Sequence, residues 1–216
     1  MKRCRHLVFV LGDQLDEHST ALADVDPATD IVLMAEVPEE SRHVWSSKAR
    51  TAFFFAAMRH FAGALEKRQV KVDYRRIGTH RLESLVAVLT DAVTKYRPQA
   101  IVVVEPGDWR VQQALLAFGR AANVELQIRE DTHFLCSRRA FADWASGYKQ
   151  LRLEFFYRMM RRRHDIMMEG NAPLQGRWNF DAENRGAFSK AGPANVPAAL
   201  RVSPDAITRE VMADVA

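Results

Sequence analysis

Cysteine is nearly absent from this sequence: Cys4 and Cys136 are the two among 216 residues. A cubane iron–sulfur cluster usually takes four thiolate ligands, so the chain cannot complete one by itself. No export signal is evident. The basic start, Met1-Lys2-Arg3-Cys4-Arg5-His6, leads into an apolar run that stops at Gly12-Asp13, too short and wrongly flanked for a signal peptide. A reduced, cytoplasmic protein with two unpaired thiols is expected. Long apolar runs are missing too. No stretch approaches the roughly 18 residues of a transmembrane helix, so no membrane partner is expected. Closely spaced glycines are lacking after the first apolar run, where Gly12 stands alone, and there is no Gly-Lys-Ser/Thr string. That excludes the dinucleotide fingerprint and the Walker loop. The seven histidines are scattered. His60, His80, His133 and His164 have no second His or Cys at ligand spacing, so no metal site is expected. No Gly-x-Ser-x-Gly elbow offers a nucleophile, and no catalytic residue is assigned. The net charge of +4 is a mild bias that alone predicts no nucleic-acid binding.

What is present is the pattern of an α/β protein. Hydrophobic residues make up 48% of the chain, enough for a full core. Continuous apolar runs at 6–11, 31–36 and 100–105 read as buried parallel strands, and the alternating runs at 70–74 and 124–128 as more exposed ones. Between them, helical spacing runs through Phe54, Met58, Phe61 and Leu65 within 47–67, through Leu82 to Val93, and through Trp109 to Ala122. This order predicts a Rossmann-like, doubly wound, five-stranded parallel sheet over 1–130. Residues 131–216 are expected to be a helical and irregular linker, with helices across 139–168 and Gly- and Pro-rich chain from about 170. A last helix is expected to start with Ser203 as N-cap and Pro204 in its first position, and to lack a neighbour to pack on.

In an open parallel sheet, ligands bind at the carboxyl ends of the strands. Three apolar strands here end in acids: Gly12-Asp13-Gln14, Glu36 followed by Glu39-Glu40-Ser41, and Glu105-Pro106-Gly107-Asp108. Acids that merely face water or cap the next helix are the plain alternative; three together make a shared rim the better reading. Carboxylates repel phosphate but accept hydrogen bonds from sugar or ribityl hydroxyls and ring N–H groups. The rim therefore favours a neutral, hydroxyl-rich, flat heterocycle. Phe53, Phe54 and Phe55 offer an apolar wall, although core packing accounts better for at least two of them.

A basic segment holds Lys149, Arg152, Arg158, Arg161, Arg162, Arg163 and His164, with Tyr148, Phe155, Phe156 and Tyr157 interleaved. A solvated helix face is the simplest reading, and a surface meeting phosphates or an acidic partner domain is the functional one. The run Arg177-Trp178-Asn179-Phe180-Asp181-Ala182-Glu183-Asn184-Arg185 sets aromatics among acids and bases, as docking segments do.

Four strings, Leu11-Gly12-Asp13-Gln14-Leu15, Ala57-Met58-Arg59-His60-Phe61, Glu105-Pro106-Gly107-Asp108-Trp109-Arg110 and Gly176 through Arg185, resemble the bacterial photolyase-related proteins, the iron–sulfur bacterial cryptochromes and (6-4) photolyases. The resemblance spans nearly the whole chain. It implies a Rossmann-like domain holding an antenna chromophore, 6,7-dimethyl-8-ribityllumazine, with Asp13, Glu36, Glu40 and Phe54 as antenna-site residues; Gly12 and Glu105 flank them at the strand ends. It also implies a C-terminal domain that binds FAD and a [4Fe–4S] cluster and repairs DNA in light. That domain's residues fall beyond position 216, so this chain is expected to be the non-catalytic antenna part of a photolyase, a carbon–carbon lyase, with the FAD domain as its partner. The alternative is a non-catalytic regulatory module that binds a nucleotide-like ligand and docks a protein or DNA through the basic helix at 149–164.

Overall fold

The computed structural model describes residues 4–181, 185–193 and 195–216. The chain forms two compact units, Met1–His133 with Ser203–Ala216, and Phe134–Val202.

The first unit is built on five strands, β1 (His6–Phe9), β2 (Ile31–Ala35), β3 (Val72–Arg75), β4 (Ala100–Val104) and β5 (Glu125–Arg129). They pair in parallel in the order β3-β2-β1-β4-β5, with Val8 of β1 flanked by Val32 of β2 and Val102 of β4. This is the doubly wound arrangement expected from the sequence. Alternation along the strands feeds two cores. On one face Val8, Val32, Met34, Val102 and Val104 meet helix α2 (Lys48–Lys67) through Phe55, Met58, Phe61 and Leu65. On the other face Leu7, Phe9, Leu33, Ile101 and Val103 meet α3 (Leu85–Tyr96) and α4 (Trp109–Ala122) through Val88, Leu89, Leu115 and Phe118. Helices α2, α3 and α4 begin on side chains that take an orphan N–H of the first turn: Ser47 from Arg50, Ser84 from Ala87, Asp108 from Arg110. A short helix, α1 (Pro38–His43), which the sequence did not announce, follows β2 and carries Glu40.

In the second unit, α5 (Arg138–Ser146) and α6 (Leu153–His164) pack through Phe141, Trp144 and Phe156, whose ring centroids lie 5.0–5.7 Å apart. A two-residue hairpin, β6 (Met168–Glu169) with β7 (Ala172–Pro173), follows.

The last helix, α7 (Ala206–Val215), departs from expectation in two ways. Its N-cap is Asp205, which accepts from the Thr208 N–H at 2.8 Å, so Ser203 and Pro204 lie outside the helix. Asp205 is also held by His60, Nε2 to Oδ2 2.9 Å, and a pinned carboxylate out-competes a hydroxyl two residues earlier. Nor does α7 lack a neighbour: it packs on α2 in the first unit, with Val211 fully buried. A division of the chain at residue 130 therefore separates α7 from the unit it belongs to.

Candidate functional site

The carboxyl ends of β1, β2 and β4 meet where strand order reverses, between β1 and β4. In doubly wound sheets this switch point opens a crevice. Here it opens a cavity of about 370 Å³, within the usual range for small-molecule sites. One wall is the end of β1, from Val10 through Asp13; the opposite wall is Pro106, Gly107 and Asp108 before α4. Residues Glu40 and Ser41 of α1, Val44 to Ser46 of the following loop, and Arg50, Phe54, Phe55 and Met58 of α2 complete it.

Asp13 stands in this recess with no donor from another residue among those described. Its side chain is exposed by area, yet the concave walls limit the water that can gather round it. That loss of solvation raises its pKa above the ordinary carboxylate value. Its own backbone N–H opposes the shift, and the neighbouring charges of Glu40, Asp131 and Asp108 add to it. Gly107 lies against it, for a Cβ there would sit 3.8 Å from Asp13 Oδ2. At Gly12 a Cβ would fall 2.9 Å from Met58 Sδ, so a side chain there would oblige that flexible thioether in the cavity wall to move.

Glu40 faces the cavity from α1 and is tied to α4 by Arg110, whose Nη2 reaches its two carboxylate oxygens at 3.0 and 2.9 Å. Asp108 receives the same guanidinium at 3.3 Å. Phe54 is half-buried on the cavity side, with the Arg50 guanidinium 5.7 Å above its ring. Its neighbours part from it: Phe55 joins the core while lining the cavity, and Phe53 points to solvent, 71% exposed.

Two expected residues stand differently. Glu36 is fully buried, and its carboxylate is filled by the chain itself. Oε1 accepts from Arg59 Nε and the Tyr74 hydroxyl, both at 2.7 Å, and Oε2 from Arg59 Nη2 and the Ile77 N–H, both at 2.9 Å. Those four donors use a carboxylate's acceptor capacity. Glu36 therefore shapes the cavity wall and anchors Arg59, with no lone pair left for a ligand. Arg59 passes the connection on to Asp214 of α7 at 2.7 Å. Glu105 is not in the lining; its backbone carbonyl holds Gln14 Nε2 at 3.1 Å, bracing the β1 turn against β4.

Sequence reasoning missed Ser46. Its hydroxyl is buried in the cavity wall with no hydrogen-bond partner among the described residues. An orphaned buried hydroxyl costs free energy unless something else pairs it. Of this serine pair, Ser47 caps α2, and nothing in the sequence singles out Ser46 beside it. Trp45, 97% exposed at the cavity, was missed as well.

A family model described as deoxyribodipyrimidine photo-lyase-related protein matches residues 8–216. The chain belongs to this family. It is 41% identical over 212 residues to a (6-4) photolyase of Agrobacterium fabrum, a match covering 95% of this chain and 40% of that protein. It is 22% identical over 190 residues to the uncharacterized protein R852 of Acanthamoeba polyphaga mimivirus, covering 84% of this chain and 94% of that one. Three of the four photolyase-related strings lie at or behind the cavity. Gly12-Asp13 and Pro106-Gly107-Asp108 form facing walls, and Met58-Arg59 contributes one lining residue and the partner of Glu36. The fourth, Gly176 through Arg185, runs through the second unit, where 182–184 lie outside the described residues.

Proposed function

We propose that this chain is the antenna-holding part of a photolyase-type flavoprotein and that its cavity takes a ribityl heterocycle, 6,7-dimethyl-8-ribityllumazine. The observation that carries this reading is the cavity at the switch point with an uncompensated Asp13 at its wall. The residues fit such a group. Asp13 and Glu40 would accept hydrogen bonds from ribityl hydroxyls, Phe54 and Phe55 would cover the ring, and the orphaned Ser46 hydroxyl would pair with a polar ring atom. Gly12 keeps the wall low enough for that approach. Glu36, with its acceptors filled, serves by holding the wall in place.

When bound, the lumazine supplies absorption of near-ultraviolet and violet light, whose excitation passes to a flavin. What the protein supplies is a fixed position and orientation, and strand ends braced by Arg110–Glu40 and Gln14–Glu105 are rigid enough for that. The FAD, the [4Fe–4S] cluster and light-dependent repair of DNA are assigned to a further domain of the longer protein. Three carboxylates near the cavity, Asp13, Glu40 and Asp108, disfavour a phosphate on the ribityl tail. Spectroscopic titration tests this: the lumazine and riboflavin should bind, and riboflavin 5′-phosphate should bind at least about tenfold more weakly, the effect of ~1.4 kcal/mol. Equal affinity for the phosphorylated compound contradicts the role given to the carboxylates.

A further inference from the structure

The charges that line the cavity are unequally matched. Asp13, Glu36, Glu40 and Asp108 are acids of the lining and, among the described residues, Arg50 is its one base. Glu36 is filled by donors that include Arg59, and Glu40 and Asp108 share Arg110. Asp13 takes no donor from another described residue. Arg50 meets no carboxylate among them either; its guanidinium lies over the Phe54 ring, 5.7 Å from the centroid. Two opposite charges thus stay uncompensated in one cavity without pairing with each other. They stand on different elements, Asp13 in the turn after β1 and Arg50 in the first turn of α2.

An exposed arginine needs no partner, because water serves it. What singles out Arg50 is its company. Ser46, four residues earlier and in the same lining, has a buried hydroxyl with no partner among the described residues. An orphaned hydroxyl and an unpaired guanidinium give the cavity a donor side at the entry to α2. Asp13, Glu40 and Asp108 give it an acceptor side at the strand ends. A ligand that fits both sides carries acceptors at one end and hydroxyl donors at the other. A pyrimidinedione ring with a polyol tail has that polarity: carbonyl oxygens and an unprotonated ring nitrogen on the ring, hydroxyls along the tail. The planar guanidinium fork suits adjacent acceptors. The contact with Phe54 already restrains the Arg50 side chain, so less rotamer entropy remains to be lost on binding.

We propose that Arg50 recognises the dione edge of the ligand's ring, with Ser46 beside it, and so fixes which way round the ligand lies: ring acceptors toward the start of α2, tail hydroxyls toward Asp13 and Glu40. This rests on reading the cavity as a site for a ribityl heterocycle, and it adds the orientation and a specificity-determining residue. An antenna needs a defined orientation, and two uncompensated groups of opposite sign on separate elements supply one.

The test is titration of the whole chain with two compounds, followed by absorption and fluorescence. One is 6,7-dimethyl-8-ribityllumazine; the other is 6,7,8-trimethyllumazine, which keeps the dione and lacks the tail. Arg50→Gln should weaken both by the same factor, roughly tenfold or more, the size of a hydrogen bond from a charged donor. Asp13→Ala should weaken the ribityl compound alone. Arg50→Lys, which keeps the charge and loses the fork, should recover part of the affinity for both. Arg50 is exposed, so its variants should melt with the parent. Ser46→Ala should weaken both compounds less, with no fall in melting temperature, since its hydroxyl gives up no partner among the described residues. With the ribityl compound bound by the parent, three results overturn the inference alone: parent affinity in Arg50→Gln, an Arg50 effect confined to the ribityl compound, or no binding of the trimethyl compound by the parent. Failure of the parent to bind the ribityl compound overturns the reading of the cavity, and the inference with it.

Discussion

Two aspartates in the first unit show how differently one residue type is used. Asp30 is completely buried and accepts from Arg5 Nε at 2.9 Å and from the backbone N–H groups of His6 at 3.1 Å and Asp26 at 2.9 Å. Burial alone would raise its pKa, but Arg5 and those N–H groups outweigh it and hold the carboxyl below its ordinary value. Its contribution to stability is complete above the unfolded-state pKa of about 3.9 and fades as pH falls through the lower folded value. Asp13 has the opposite sign. With no donor from a neighbour and a raised pKa, it destabilises the fold at neutral pH, and the penalty is relieved as pH falls through the folded value and below the unfolded one. Asp13→Asn should therefore raise the melting temperature at pH 7 and leave it unchanged near pH 3, while Asp30→Asn should lower it at pH 7. Thermal melts across pH read both. The ligand role proposed for Asp13 would account for keeping a residue that costs stability where it stands.

Glu36 carries a third case. Removing its charge leaves Arg59 buried with only the partly exposed acids of α7 for company. Glu36→Gln should cost about 3 kcal/mol in urea denaturation, the effect of breaking a buried pair. That Glu36 would end a strand was legible in the sequence. That its four acceptor sites would be filled by Arg59, Tyr74 and Ile77 was not, because those partners come from α2, β3 and the loop after β3, whose approach no local pattern encodes.

At the scale of elements, the strands and long helices were readable because burial on both sheet faces forces unbroken apolar runs, and helix faces repeat with the turn. Shorter features were not. Helix α1 has no buried residue and no side-chain cap, so only Pro38 and the placing of its charges, Glu39 and Glu40 first and Arg42 and His43 last, mark it. The triplet Phe53-Phe54-Phe55 shows the limit of periodicity, since steps of about 100° send consecutive rings to solvent, cavity and core. The end of the chain was misjudged because α7 shows apolar spacing but not its destination. Its docking on α2 rests on Val211 and on the clasp of Arg59 with Asp214 and Glu210. Val211→Ala should cost roughly 2 kcal/mol of stability, as expected for methyl groups removed from a closed site. Because Val211 lies outside the cavity lining, ligand affinity measured in the same samples should hold.

The whole molecule divides its tasks by charge and by unit. The first unit pairs many of its arginines with carboxylates and, among the described residues, leaves Asp13 at its cavity without a donor from another residue, while the second unit carries the excess of positive charge. The chain shares the fold of the photolyase-related family and spans 40% of the length of the (6-4) photolyase it matches; light collection is the role proposed for its cavity. No helix among the described residues is long and apolar enough to cross a membrane. The most direct test of this account is titration of the purified chain with 6,7-dimethyl-8-ribityllumazine, followed by absorption and fluorescence. The account predicts saturable binding of one lumazine per chain, lost by at least about tenfold in Asp13→Ala, a change of ~1.4 kcal/mol. Absence of saturable binding, or full affinity in the Asp13→Ala protein, would contradict it.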